Sequence, residues 1–230
     1  MLIIIDSRMP QEAKTSLKEV GEVFELQSKD IVYESIQGHP DIFLLQMDEL
    51  VIMAPNAPLD LKQIFQKHRI PFLKGKNKLG LKFPETVFYN AVSTSKYLIH
   101  NENYTDSCIL HENDKKKFIK VKQAYTRCNL LHLNDGSFIT SDRGIEKNLR
   151  EKGLEVHYFS DDDVLLEGQD HGFIGGTMGV LHQSVYILGH LSFYKEGERL
   201  RDLISSKNMQ IIELYKGPLI DGGGLFFLDS

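Results

Sequence analysis

Short apolar runs alternate along this chain with stretches of helical spacing. Leu2-Ile-Ile-Ile5 is continuously apolar, as a strand buried on both faces requires. A helix from about Pro10 to Val20 and a strand at Val23–Leu26 follow. Further on, Glu49–Ala54 reads as a strand, and Pro55-Asn-Ala-Pro58 breaks the chain. Leu59, Leu61, Ile64 and Phe65 then mark one face of a helix from Leu59 to His68, which Pro71 ends. Asn134-Asp-Gly136 is a tight-turn signal before a strand at Ser137–Ser141. Asp142 caps an expected helix to about Lys152, Gly153 stops it, and Leu154–Tyr158 is the next strand. Ser184–Leu188 (strand), Glu196–Ser206 (helix, with Leu200, Leu203 and Ile204 on one face) and Met209–Leu214 (strand) give the same order again.

A polar-to-apolar phrase recurs between these segments. His39-Pro-Asp-Ile-Phe-Leu-Leu-Gln-Met47 opens it, and Tyr89-Asn-Ala-Val-Ser-Thr-Ser-Lys-Tyr-Leu-Ile99 echoes it. Tyr125-Thr-Arg-Cys-Asn-Leu-Leu-His-Leu133, His171-Gly-Phe-Ile-Gly-Gly-Thr-Met-Gly-Val-Leu181 and Asp221-Gly-Gly-Gly-Leu-Phe-Phe-Leu228 follow. A recurrence at this spacing means one supersecondary unit used repeatedly, here strand, turn, strand, helix, strand. The second unit fits least well, with its helix missing or reduced between Asn103 and Lys120. The fifth stops after one strand, and the N-terminal residues supply the remainder. Ends that complete one unit argue for a closed ring rather than a linear solenoid. With no linker or low-complexity stretch, residues 1–230 read as a single domain.

Composition narrows the function classes. Of 230 residues, 41% are hydrophobic and 26% charged, which suits a globular domain. A net charge of −5 argues against nucleic-acid binding, and Lys115-Lys-Lys117 with Lys120 and Lys122 reads as a solvated connection. Two cysteines, Cys108 and Cys128, fit a reducing compartment. No run approaches the ~20 apolar residues that span a bilayer, and Met1–Asp6 lacks the form of a signal peptide. The expectation is a cytoplasmic protein without membrane contact. Neither His-x-x-x-His nor paired-Cys spacing occurs, so no metal and no cofactor are expected.

Five such units resemble the pentein superfamily, an α/β fold in which five ββαβ units form a five-fold pseudosymmetric propeller. The family includes arginine and agmatine deiminases, dimethylarginine hydrolase and amidinotransferases. Tyr125-Thr-Arg-Cys-Asn129, Asp170-His-Gly-Phe-Ile-Gly-Gly176 and Leu219-Ile-Asp-Gly-Gly-Gly224 carry the resemblance. It is strongest to an uncharacterised branch. The resemblance implies a ring closed by the terminal segments and a central channel onto which the phrase starts open. In the enzymes a Cys of the last unit attacks a guanidinium carbon, a His moves the proton, and acidic residues hold the cation. This chain departs where the thiol belongs: Phe226 or Phe227 occupies that place. Cys128 also stands where the deiminase phrase Phe-Thr-Arg-Asp has its carboxylate.

The candidate residues carry two readings each. Arg127 beside Cys128 would depress the thiol pKa and make it a nucleophile, with His171 or His39 as base. The alternative is a small, buried, near-apolar cysteine. Asp170 and His171 adjoin, so in a strand one would face the channel and the other the wall; a structural His at a strand start is the other reading of His171. The glycines of Gly172–Gly179 lack the Lys-Ser/Thr ending of a phosphate loop and read, like Gly222–Gly224, as packing residues at a crowded axis. His39, Asp41, Asn90, Arg127, Asn129, Asp170 and Asp221 form the expected ligand-binding set, suited to a cation or polyamide solute, although Asp and Asn also serve turns and caps. Two functions remain open. One is a non-catalytic pentein holding a small guanidino or amidino ligand, for which the ribosome anti-association factor is a precedent in this fold. The other is a divergent amidinohydrolase or amidinotransferase using Cys128 or an activated water with His171. The expected partner is a small molecule, and self-association is left open.

Overall fold

A computed structural model describes residues 1–113 and 115–229. The chain opens with β1 (Leu2–Asp6), α1 (Gln11–Lys18) and β2 (Glu22–Leu26). Next come α2 (Pro40–Phe43), β3 (Leu44–Gln46), β4 (Val51–Met53), α3 (Leu59–Lys67) and β5 (Phe72–Lys74). The third segment is β6 (Val92–Ser93), β7 (Tyr97–His100), α4 (Ser107–Glu112) and β8 (Lys117–Lys120). The fourth is α5 (Thr126–Asn129), β9 (Leu130–His132), β10 (Phe138–Thr140), α6 (Arg143–Glu151) and β11 (Val156–Tyr158). A 3-10 turn at Ile174–Thr177 leads to β12 (Met178–Leu181), β13 (Ser184–Ile187), α7 (Gly197–Ser206) and β14 (Gln210–Glu213), and β15 (Phe226–Leu228) ends the chain.

The strands form five three-stranded sheets: β3-β4-β5, β6-β7-β8, β9-β10-β11, β12-β13-β14 and β15-β1-β2. In each, the first strand runs antiparallel to the second and the second parallel to the third. A tight turn suffices for the antiparallel step, whereas the parallel step needs a crossover, which the helix provides. The fifth sheet joins the two ends of the chain, with Leu2 opposite Leu228 and Ile4 opposite Phe226.

Side-chain alternation explains the packing. Leu2 and Ile4 face one apolar cluster, and Ile3 and Ile5 face another that contains Ala13 and Leu17 of α1. Both faces of β1 are therefore covered, which accounts for its unbroken apolar sequence. Leu61 and Phe65 of α3, Ile145 and Leu149 of α6, and Leu200 and Ile204 of α7 are buried in the same manner. Asp142 caps α6 by accepting from the Ile145 N–H at 2.7 Å.

Two expectations need revision. Part of the lysine run is not a connection: Lys117–Lys120 is strand β8, with Ile119 buried and the lysines of its ends exposed, while Lys115, Lys116 and Lys122 lie outside the strand. The phrase starts are not strands. Pro40–Phe43, Thr126–Asn129 and Ile174–Thr177 are single helical turns that feed the first strands. Pro40 stands at the start of its turn, where its fixed φ and missing N–H cost nothing. The helix of the second unit is present but short. Asp106 caps it through the Cys108 N–H and also accepts from the N–H groups of Lys76 and Asn77.

Candidate ligand-binding site

The five phrase starts touch one another through backbone and short side chains. The Asp41 N–H donates to the Gly223 carbonyl. Asn90 Nδ2 donates to the Asp41 carbonyl at 3.1 Å, and Asn90 Oδ1 accepts from the N–H groups of Arg127 and Cys128. Gly175 lies so close to the carbonyls of Arg127 and Cys128 that a Cβ would sit 2.6 Å from each. The N–H groups of Gly222 and Gly224 both donate to the Gly176 carbonyl. Glycine is required by this approach at 175, and at 223 and 224 by φ values of +70° and +76°.

Within this contact lies a buried polar cluster. The Cys128 thiol donates to Asp41 Oδ2 at 3.0 Å and accepts from Asn90 Nδ2 at 3.1 Å. Burial pushes the Asp41 carboxyl up to about 6, against the opposing pull of Arg127. Burial pushes the Cys128 thiol well above its ordinary value, and the charges of Asp41 and Asp221 add to it. The expected depression by Arg127 is thus reversed, first because burial disfavours the thiolate and then because carboxylates face it. Cys128 is 3% exposed. Asn129, also buried, donates to the Tyr125 carbonyl and accepts from Ser141, a hinge between turn and strand.

Asp221 lines an adjoining pocket, and His39 is buried behind it. The buried imidazole lies between Asp6 and Asp221, its Nε2 3.8 Å from Asp6 Oδ2 and its Nδ1 3.8 Å from Asp221 Oδ1. Neither ring nitrogen has a hydrogen-bond partner among the described residues. Burial holds the imidazole below its usual pKa, which favours the neutral ring. Asp221 accepts from the N–H groups of Phe173 and Gly223. On its open side, a pocket of about 360 Å³ is lined by Asp6, Arg8, Met9, Leu165, Leu166, Glu167, Gln169, Asp170, Ile220, Asp221 and Gly222. Arg8 is committed: its Nε reaches Asp6 Oδ1 at 3.0 Å, and its Nη atoms reach the carbonyls of Glu34 and Ser35.

Sequence reasoning missed Asp6, Arg8 and Glu167. A carboxylate directly after four buried apolar residues was the available signal at Asp6, since a strand's last residue emerges where the neighbouring first strand begins. Asp170 does line the pocket and is exposed, as is His171. The two are in irregular chain rather than a strand, so the expected division between channel and wall does not apply. His171 is not joined to Cys128. Its Nδ1 bonds the Gly172 carbonyl and faces Asp161 at 3.7 Å, and its ring is 43% exposed on the side chain. The imidazole nearest the buried carboxylates is His39.

A second cavity, about 350 Å³, opens at the far ends of the first strands, with Arg127 and Phe226 at its floor. Phe226 is 4% exposed and Phe227 7%. Both rings are packed, that of Phe226 5.8 Å from the Arg127 guanidinium and that of Phe227 against Tyr186. Among the described residues, no group of three or more His, Cys, Asp or Glu side chains converges as a metal requires, and no helix is long and apolar enough to cross a membrane.

Solved structures with this arrangement include DDAH from Pseudomonas aeruginosa, a mutant complexed with citrulline: TM-score 0.55, 9% identity, 92% of this chain and 91% of that one. A saxitoxin-pathway amidinotransferase from Microseira wollei gives 0.57 at 10% identity, over 92% and 87%. An inosamine-phosphate amidinotransferase from Streptomyces griseus gives 0.56 at 14%, over 90% and 77%. At such identities the likeness is one of fold, and the fold is that of the penteins. No curated protein matches the sequence. Residues 4–226 match the family described as "Family of unknown function (DUF6873)", and the chain belongs to that family.

Proposed function

We propose that this protein is a non-catalytic pentein, five units closed into a ring, that holds a small cationic ligand of guanidino or amidino type in the pocket between Asp6, Asp170 and Asp221. The pairing of β15 with β1 and the serial contacts of the phrase starts support the ring. One observation carries the ligand class. Four carboxylates, Asp6, Glu167, Asp170 and Asp221, border a pocket whose one cation among the described residues, Arg8, is already bonded to Asp6. The excess negative charge seeks a cation, and Met9, Leu165, Leu166 and Ile220 offer an apolar bed for its carbon skeleton.

The aromatic plug at Phe226 and Phe227, and a Cys128 thiol whose proton is held by burial and bonded to Asp41, support binding without covalent catalysis. The partner in this reading is the small molecule alone. Calorimetric titration with arginine, agmatine and methylguanidine tests it. Saturable binding is expected, weakened about tenfold in Asp170→Asn and in Glu167→Gln, with no ammonia or urea released. Both side chains are exposed, so neither variant perturbs folding. Affinity unchanged in both variants, or catalytic turnover of any member of the panel, contradicts the proposal.

A further inference from the structure

The cavity at the far ends of the first strands holds a cation without a carboxylate partner. Arg127 Nη1 donates to the Gly175 carbonyl at 2.6 Å and Nη2 to the Met178 carbonyl at 3.1 Å. Among the described residues, no carboxylate oxygen lies within 4 Å of the guanidinium. A guanidinium has five N–H donors, and two carbonyls leave most of them free. Gly224 gives the group its space, since a Cβ there would sit 2.7 Å from Nη2. A half-buried cation with no ion pair within 4 Å, drawn only at longer range to Asp41 and Asp221, is costly, and an anion above it relieves that cost.

The walls suit a polar anion. Gln46, Ser93, Thr94, Ser95 and Asn134 line the cavity with hydroxyls and amides. Among the described residues each first strand is paired in a sheet along one edge only, and side chains such as Arg127 (to the Met178 carbonyl) and Gln46 (to the Phe227 carbonyl) satisfy part of the other. The other charges nearby are committed to each other: Lys116 Nζ lies 3.0 Å from Asp48 Oδ1 and donates to Ser93 Oγ at 2.7 Å. His132 is held below its usual pKa by burial and adds no charge near neutral pH.

We infer that this cavity is a site for a small carboxylate, its carboxyl group on Arg127 and its polar body against Ser93–Ser95 and Asn134. A planar carboxylate matches the guanidinium fork with two parallel bonds. A phosphate dianion requires a second unpaired cation, and Lys116 is taken by Asp48. No lining residue is shared with the Asp6–Asp221 pocket, and the inference does not rest on what binds there.

The test is a titration followed by the side-chain Nε–H signal of Arg127 in nitrogen-15 NMR, assigned by its loss in Arg127→Lys. Acetate, lactate, glycine and inorganic phosphate serve as separate probes. The expected result is a saturable shift with the carboxylates, lactate tighter than acetate and both tighter than phosphate. Arg127→Lys, which lacks that signal and is followed by calorimetric titration with lactate, weakens binding about tenfold. Asp48→Asn, at an exposed rim position, tightens it about twofold by removing a like charge. Val180→Phe fills the cavity from its β12 wall and abolishes the shift in a protein whose other signals remain folded. An Arg127 signal unmoved by any carboxylate, phosphate binding more tightly than all of them, or a shift that persists in Val180→Phe overturns the inference.

Discussion

Asp41 is a buried carboxyl that keeps its proton longer in the folded chain than in the unfolded one. Its folded pKa, about 6, lies above the ordinary 3.8. The folded state therefore binds the extra proton between those values, and stability from this group falls as pH rises through that window. The rise from 3.8 to about 6 limits the effect to at most about 3 kcal/mol. Asp41→Asn keeps an acceptor for the Cys128 thiol but cannot ionise. Melting temperatures measured from pH 4 to 8 are expected to diverge upward for the variant as pH rises; parallel curves contradict the assignment. Cys128 gives a second prediction at this scale. With the thiol enclosed and its pKa raised, iodoacetamide at pH 7.5 is expected to label the partly exposed Cys108 first, as peptide mapping reads directly. The sequence supported Cys128 as nucleophile because Arg127 is its neighbour in the chain. In space the nearer partner is Asp41, 87 positions away, and no local pattern contains that pairing.

At the scale of elements, period and caps carried most of the information. The helix from Leu59, the helix behind Asp142 and the helix ending at Ser206 were legible because apolar positions at helical spacing are a local property, as is the cap that Asp142 gives the second of them. Asp142→Ala is expected to cost about 1 kcal/mol in urea denaturation, and an unchanged midpoint contradicts its role as a cap. The single turns at Pro40–Phe43 and Thr126–Asn129 were not legible. Too short for periodicity, they are stabilised by groups from other units, such as Asn90 Oδ1 receiving the Arg127 and Cys128 N–H groups. The lysine strand β8 was hidden for a similar reason. One buried residue, Ile119, and pairing with β7 hold it, while its charges stay in solvent.

At the scale of the whole molecule, the repeat spacing made the order of strands readable, since each copy repeats the same local grammar, and the fifth sheet follows from the completion of one end by the other. A circular permutant tests this directly. Joining residue 229 to residue 2 through about four Gly-rich residues, and opening the chain at exposed Lys29-Asp30, makes the fifth unit contiguous. It is expected to unfold cooperatively within about 5 °C of the parent, whereas a permutant without a cooperative transition contradicts the closed arrangement. The position of the pocket was not readable at any scale below this one. Asp6, Glu167 and Asp221 come from three distant segments, and only the folded chain gathers them. The most direct test of the central claim is therefore calorimetric titration of the intact protein with agmatine, compared with Asp170→Asn and Glu167→Gln. Saturable binding in the parent, weakened about tenfold in each variant and without product, is the predicted result. Binding that survives both substitutions unchanged, or no binding by any guanidino or amidino compound, would contradict the account.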